Sequence, residues 1–274
     1  MRRRLRVGAD VDLTGVEPRS TPGAPGGKRR TKAELPELGA RLAELQERLF
    51  AQGRAGGSRR MLVVLQGMDT AGKGGTIKHA MGQMDPSGCV VAGFRAPTAE
   101  ERRHDFLWRI RRRLPVAGEV GIFDRSHYED VLVVRVDHLA PRPVWSRRYA
   151  SINRFERALA ADGCEIVKVF LHISPEEQRE RLMARLDDPT KYWKFDPRDI
   201  DERARWDAYR AAYEDVLRRC DADHAPWYVV PADRKWYRNW AVTRLLVEHL
   251  EAMDLDWPGP SFDVAEQRTR LAAT

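Results

Sequence analysis

Seven residues limit what this chain can fold into more than any other stretch: Gly67-Met68-Asp69-Thr70-Ala71-Gly72-Lys73. They match the G-x-x-x-x-G-K spacing, in which glycines let the backbone curl around a phosphate. The flanks are the ones this loop needs. Residues 61–66 form an apolar run with β-branched Val63 and Val64, suited to a buried parallel strand, and residues 76–84 carry a helical pattern. A strand that turns on glycines into a helix aims successive N–H groups and the positive helix end at one anion. Gly67, Ala71, Gly72 and Gly74 are therefore expected to bind phosphate through their amides, and Lys73 to charge-match the outer phosphates.

The loop departs from the common pattern at one place. Gly74 follows Lys73 where Ser or Thr normally ligates magnesium. Asp69 is then the loop's metal-binding group, with a cation between it and the phosphate; the competing reading is a helix cap. A second carboxylate comes from Gly121-Ile122-Phe123-Asp124-Arg125-Ser126, which places Asp124 at the end of a third strand. From there it can share the Mg2+ ion with Asp69, or cap a helix beginning at Ser126. Arg125, at the same edge, is suited to neutralising the oxygens of a migrating phosphoryl group.

Strand and helix patterns alternate along the rest of the chain. Strands are expected over 61–66, 89–94, 120–123, 166–172 and 227–230, and helices over 76–84, 98–113, 144–161, 175–186, 200–219 and 236–253. A helix led by Leu35, Leu38, Leu42, Leu45 and Leu49 precedes them and ends at Gly53, Gly56 and Gly57. This alternation predicts an α/β fold with a parallel five-stranded sheet flanked by helices, in one domain over residues 31–258. Residues 1–30, with STPGAPGG at 20–27, read as a flexible arm, and 259–274 as a tail. Between about 179 and 205, Arg179, Arg181, Arg185, Lys191, Lys194, Arg198, Arg203 and Arg205 surround breaks at Asp187-Asp188-Pro189 and Asp196-Pro197. That pattern fits a helical lid bringing cations onto a phosphoryl group. It also fits a hairpin with an ordinary charged exterior.

The balance of 48 Lys and Arg against 41 Asp and Glu leaves a net charge of +7 and points to a polyanionic partner. Arg2, Arg3, Arg4 and Arg6 alone supply over half of that excess, so a basic arm is the plainer account. Cys89, Cys164 and Cys220 are too few and too scattered for a disulfide framework or a metal knuckle. No secretory leader and no membrane-spanning run is seen, so a cytoplasmic protein with no membrane partner is expected.

Five stretches together resemble the family-2 polyphosphate kinases: GMDTAGKGGTIKH (67–79), FRAPTAEERRHDFLWR (94–109), GIFDRSHYEDVLVVRV (121–136), RLDDPTKYWKF (185–195) and APWYVVPADRKWYRNW (225–240). The resemblance covers residues 31–258. It implies a thymidylate-kinase-like P-loop kinase fold and reversible, magnesium-dependent transfer between inorganic polyphosphate and nucleoside mono- or diphosphates. The wording is most similar to the subgroup accepting AMP and ADP. It also implies a homo-oligomer. Carried onto matching positions, Asp69, Lys73, Asp124 and Arg125 form the phosphate and metal centre, with Arg185, Lys191 and Lys194 in the lid. For the nucleotide, Pro97 and Thr98 would line the base site while Asp105 and Arg109 would contact sugar or phosphate. The rival readings are an ATP-dependent nucleotide or small-molecule kinase of the same fold, and a nucleic-acid-binding protein. The usual interleaving of aromatic and basic residues in nucleic-acid modules is missing, so no nucleic-acid partner is expected.

Overall fold

The computed structural model describes residues 1–8 and 10–274. The apolar run before the glycine loop is strand β1, Arg60–Gly67, buried at every residue from Met61 onward. Continuous burial of this kind requires cover on both faces, which only the interior of a parallel sheet supplies. The other strands are β2 (Cys89–Gly93), β3 (Val120–Asp124), β4 (Cys164–His172) and β5 (Trp227–Pro231). All pair in parallel, in the order β2-β3-β1-β4-β5. The five expected strands are thus present, with ends displaced by one or two residues. The chain leaves β1 toward β2 and β3 on one side, and later toward β4 and β5 on the other. A crevice therefore opens at the carboxyl end of β1. Leu65 pairs with Asp124, and Gly67 with Leu171, so the loop and the second acid share that edge.

Helices α1 (Leu35–Arg54), α2 (Lys73–His79), α3 (Arg142–Ala161), α4 (Pro175–Leu186), α5 (Arg198–Ala204), α6 (Trp206–Arg219), α7 (Lys235–Ala252) and α8 (Val264–Ala272) surround the sheet. On α1 the leucine stripe at 38, 42, 45 and 49 is buried. Three expected helices are broken. The one over 76–84 stops at His79, and Met81–Gln83 form a 3-10 turn. Residues 98–113 give only a 3-10 turn at Glu101–Arg103 and a single turn at Trp108–Arg111. Thr98 and Glu101 cap each other, and Asp105 then caps Leu107 N, so two local caps replace a continuous ladder. Residues 200–219 are divided into α5 and α6 at Arg205.

The N-terminal thirty residues depart furthest from expectation. They lack long regular elements but are packed, not extended into solvent. Leu5, Val7 and Leu13 are buried. Val7 N donates to Trp227 O at 3.0 Å, and Arg6 bridges Tyr228 antiparallel, so this segment occupies the otherwise open edge of β5. Arg6 also pairs with Asp221 and Asp223, and Tyr237 Oη donates to Pro22 O at 2.9 Å. Gly and Pro ruled out helix and strand over 20–27; they did not rule out a fixed path. At the other end, residues 264–272 of the expected tail form the exposed helix α8. No helix of the described residues is long and apolar enough to cross a membrane.

One polar network lies inside the core. Lys168 on β4 is fully buried, and its Nζ donates to Glu156 Oε2 (2.6 Å), Tyr128 Oη (2.9 Å) and Cys220 O (2.6 Å). Tyr128 Oη and His127 Nε2 meet the other Glu156 oxygen at 2.8 and 3.1 Å. All three ammonium donors are used, which is what permits a buried charge. Burial raises the Glu156 carboxyl, but Lys168 and His127 outweigh it and hold it below its ordinary value of 4.5. A carboxylate depressed in the fold stabilises it above the unfolded value. That contribution is lost as pH falls through the folded one. Glu156→Gln, which leaves Lys168 unpaired, is expected to lower the unfolding free energy by about 3–5 kcal/mol in urea titrations at pH 7. The difference from wild type should shrink below pH 4.5.

Candidate active site

The glycine loop takes the backbone conformations its sequence permits. Gly67 has φ +154° and Gly72 φ +105°. A Cβ on Gly72 would come within 1.8 Å of Arg238 Nη1, so both conformation and space demand glycine. Lys73 opens α2, and its Nζ donates to Gly67 O at 2.9 Å, across the mouth of the loop. Burial lowers its pKa and Arg125 adds to that, while Asp69, Asp124 and Glu129 oppose it.

Arg125 directly follows β3 in a left-handed conformation, φ +65°, with its amide on Leu65 O. Its guanidinium pairs with Asp69 Oδ1 at 2.9 Å and approaches Glu129 at 3.8 Å. Below it, fully buried Gln66 donates to Glu129 Oε1 at 2.9 Å and accepts from Ser126 Oγ at 3.3 Å. Burial raises the Asp69 carboxyl. A hydrogen bond from Glu202 and the charges of Lys73, Arg125 and Arg185 reverse the effect and bring it to about 2. Contact with Asp69, then burial, pushes Glu202 up to about 8.

These residues suit a hard divalent cation. Asp69 is an ionised oxygen donor, and half-buried Asp124 ends the neighbouring strand. Thr70 Oγ1 is a further buried oxygen, without a hydrogen-bond partner. Among the described residues no cluster of three or more ligating side chains occurs. A cation that keeps waters and phosphate oxygens in its shell needs only one or two carboxylates.

A sequence profile described as Polyphosphate kinase 2 matches residues 26–258. The chain belongs to the polyphosphate kinase 2 family. It is 47% identical over 257 residues to an AMP/ADP-polyphosphate phosphotransferase of Meiothermus ruber, covering 94% of this chain and 95% of that one. An ADP-polyphosphate phosphotransferase of Rhodopseudomonas palustris is 43% identical over 230 residues, 80% of this chain and 78% of the other. The crystal structure of polyphosphate kinase 2 from Arthrobacter aurescens TC1 superposes with a TM-score of 0.96 at 52% identity, covering 98% and 95% of the two chains.

In this family member the cations expected to serve a lid are engaged within their own segment. Arg185 donates to Lys194 O and pairs with Asp199 at 3.3 Å; Lys191 pairs with Asp188 at 2.7 Å; Lys194 lies over the Trp193 ring. Of the three, Arg185 acts on Asp69 through its charge. The four nucleotide candidates have local partners. Exposed Thr98 caps a turn, Pro97 O accepts from Arg102, and Asp105 pairs with Arg111. Buried Arg109 straps Arg95 O at 2.7 Å. None of the four lines the cleft beside Asp69, which is bounded by Arg125, Glu129, Gln178, Glu202 and Tyr213.

Sequence reasoning passed over Glu129, Gln178, Glu202 and Arg238, and counted Arg181 only as a lid cation. Gln178 and Arg181 are three residues apart on α4 and face the loop. Gln178 Nε2 donates to Asp69 O (3.1 Å); Arg181 Nη1 donates to Thr70 O (2.8 Å) and Ala71 O (3.0 Å). The signal available was that i, i+3 spacing directly after β4. Two glycine substitutions separate conformation from space. Gly72→Ala is expected to cost about 1–3 kcal/mol of stability, with loss of activity. Gly74→Ala, where a Cβ meets nothing within 4 Å, should leave stability equal or higher by about 0.5–1 kcal/mol. Thermal denaturation of both variants checks this.

Proposed function

We propose that this polyphosphate kinase moves a phosphoryl group between inorganic polyphosphate and nucleoside mono- and diphosphates, AMP and ADP among them, with Mg2+ and in both directions. The observation that carries this reading is the meeting of Lys73, Asp69, Arg125 and the loop amides at one sheet edge. The names of the Meiothermus and Rhodopseudomonas relatives supply the substrate pair. In this mechanism the terminal phosphoryl group of the donor lies against the loop amides and the Lys73 ammonium. Lys73 then exchanges Gly67 O for phosphate oxygens. Asp69 and Asp124 would hold the magnesium ion, which supplies charge neutralisation for donor and acceptor oxygens. Arg125, already beside Asp69, orients and neutralises the migrating group. The attacking oxygen belongs to a nucleotide phosphate and is already ionised, so positioning and charge matching suffice without a general base.

Residues 179–205 act as a lid in this reading. Glu202 already touches Asp69, and Arg185 lies within electrostatic reach of it. Closure excludes water and strengthens each charge contact. The test is a donor and acceptor panel. Polyphosphate with ADP, and with AMP, should yield ATP in the presence of magnesium, and ATP should return phosphate to the polymer. Turnover with ATP as the sole donor, and none with polyphosphate, would overturn the reading in favour of an ordinary nucleotide or small-molecule kinase. Lys73→Ala is expected to lower kcat by about 10²–10³-fold at unchanged melting temperature.

A further inference from the structure

We propose that Gln178 and Arg181 are positioning residues for phosphoryl transfer, acting from helix α4 by holding three consecutive loop carbonyls away from the phosphate. The inference rests on the phosphotransferase reading above and adds to it. A peptide unit carries its C=O and N–H on opposite sides, so fixing the carbonyl fixes where the amide points. Gln178 Nε2 takes Asp69 O at 3.1 Å, and Arg181 Nη1 takes Thr70 O at 2.8 Å and Ala71 O at 3.0 Å. These contacts set the peptide planes that carry the amides of Thr70, Ala71 and Gly72. The Ala71 amide closes a turn onto Met68 O, which leaves the amides of Thr70 and Gly72 for an anion.

Both side chains are themselves fixed. Arg181 is buried, with all five donors engaged. Besides the two loop carbonyls, Nη2 meets Ala232 O (2.7 Å) and Asp233 O (3.0 Å), and Nε meets Glu177 (2.8 Å). The fork thus spans the loop and the end of β5, a reach that three donors on one ammonium do not have. Gln178, also buried, accepts from Arg203 of α5 at 3.1 Å, which assigns its amide nitrogen to Asp69 O. Asp233 in turn receives Ser174 N and Oγ at the start of α4, so the helix that carries both residues is tied to the same strand end. Thr70 adopts φ +61°, a left-handed conformation unfavourable for a β-branched residue, and of the two loop carbonyls its own is the one Arg181 holds more closely. A purely structural strap would be satisfied by any surface. This one contacts the outward side of three peptides, two of which keep their amides free for the anion.

The test uses full-length Gln178→Met, which keeps bulk and removes the donor, and Arg181→Lys, which keeps charge and removes the fork. Melting temperature, kcat, and separate KM values for phosphoryl donor and nucleotide are measured. The expected result is kcat lower by about 10–100-fold in both variants, the range found when supporting groups behind a reactive centre are removed. Donor KM should rise, nucleotide KM should stay at the wild-type value, and Gln178→Met should stay folded at the assay temperature. Wild-type kcat and donor KM in folded Gln178→Met would overturn the proposal. So would losses that vanish once activity is corrected for the folded fraction. Failure of wild-type protein to use polyphosphate would sink the substrate reading instead, while the variant-to-wild-type ratio, taken with whichever donor wild type accepts, still decides this one.

Discussion

A phosphate cradle built from backbone amides depends on what holds the other side of the same peptides. Amides can face an anion only if the carbonyls behind them are satisfied elsewhere, because an unpartnered carbonyl away from water costs on the order of 1–3 kcal/mol. In this chain the carbonyls of Asp69, Thr70 and Ala71 accept from Gln178 and Arg181, and Arg238 adds a long contact of 3.4 Å to Ala71 O. Arg238 is buried with no carboxylate partner, and burial together with Arg181 lowers its pKa to about 10. The glycines, the strand order and the long β4 that delivers α4 to the loop all serve this one arrangement. Gly72 has no room for a side chain because Arg238 fills it.

The fold was readable where local pattern and tertiary role agree. A continuous apolar run marked β1, and a run interrupted by Lys168 marked β4, since a strand buried on both faces is apolar almost throughout. The glycine loop and Asp124 could be placed at one sheet edge from their position after such runs, and the register of Leu65 with Asp124 puts them there. The long helix expected over 98–113 was not readable, because Thr98, Glu101 and Asp105 divert backbone groups into local caps that a periodicity count ignores. The arm over 1–30 misled for a different reason. Glycine and proline report which regular elements a segment lacks, while the bare edge of β5 that fixes Val7 lies more than 200 residues away. Gln178 and Glu202 stayed hidden because their contacts with Asp69 join residues over 100 positions apart.

The interior handles charge by the same logic as the loop. Lys168 spends each ammonium proton on an oxygen, and Glu156 receives from Lys168, Tyr128 and His127. Ser126, His127 and Tyr128 directly follow Arg125, so this closed network also anchors the end of β3 from below, while Gln66 and Glu129 bracket it from the side. Arg125 can hold an unfavourable left-handed backbone because the residues on both sides of it are committed.

The self-paired cations of residues 179–205 carry a final implication. Arg185 and Lys191 each already possess an aspartate counter-ion, at 3.3 and 2.7 Å. An incoming anion must displace that carboxylate, so a lone phosphate or chloride gains little from either cation. A ligand bearing many negative charges in a row can exchange several such partners in one event, and its gain accumulates while the entropic penalty of capture is met once. Internal ion pairing over residues 179–205 would thereby favour a chain of charges over abundant small anions.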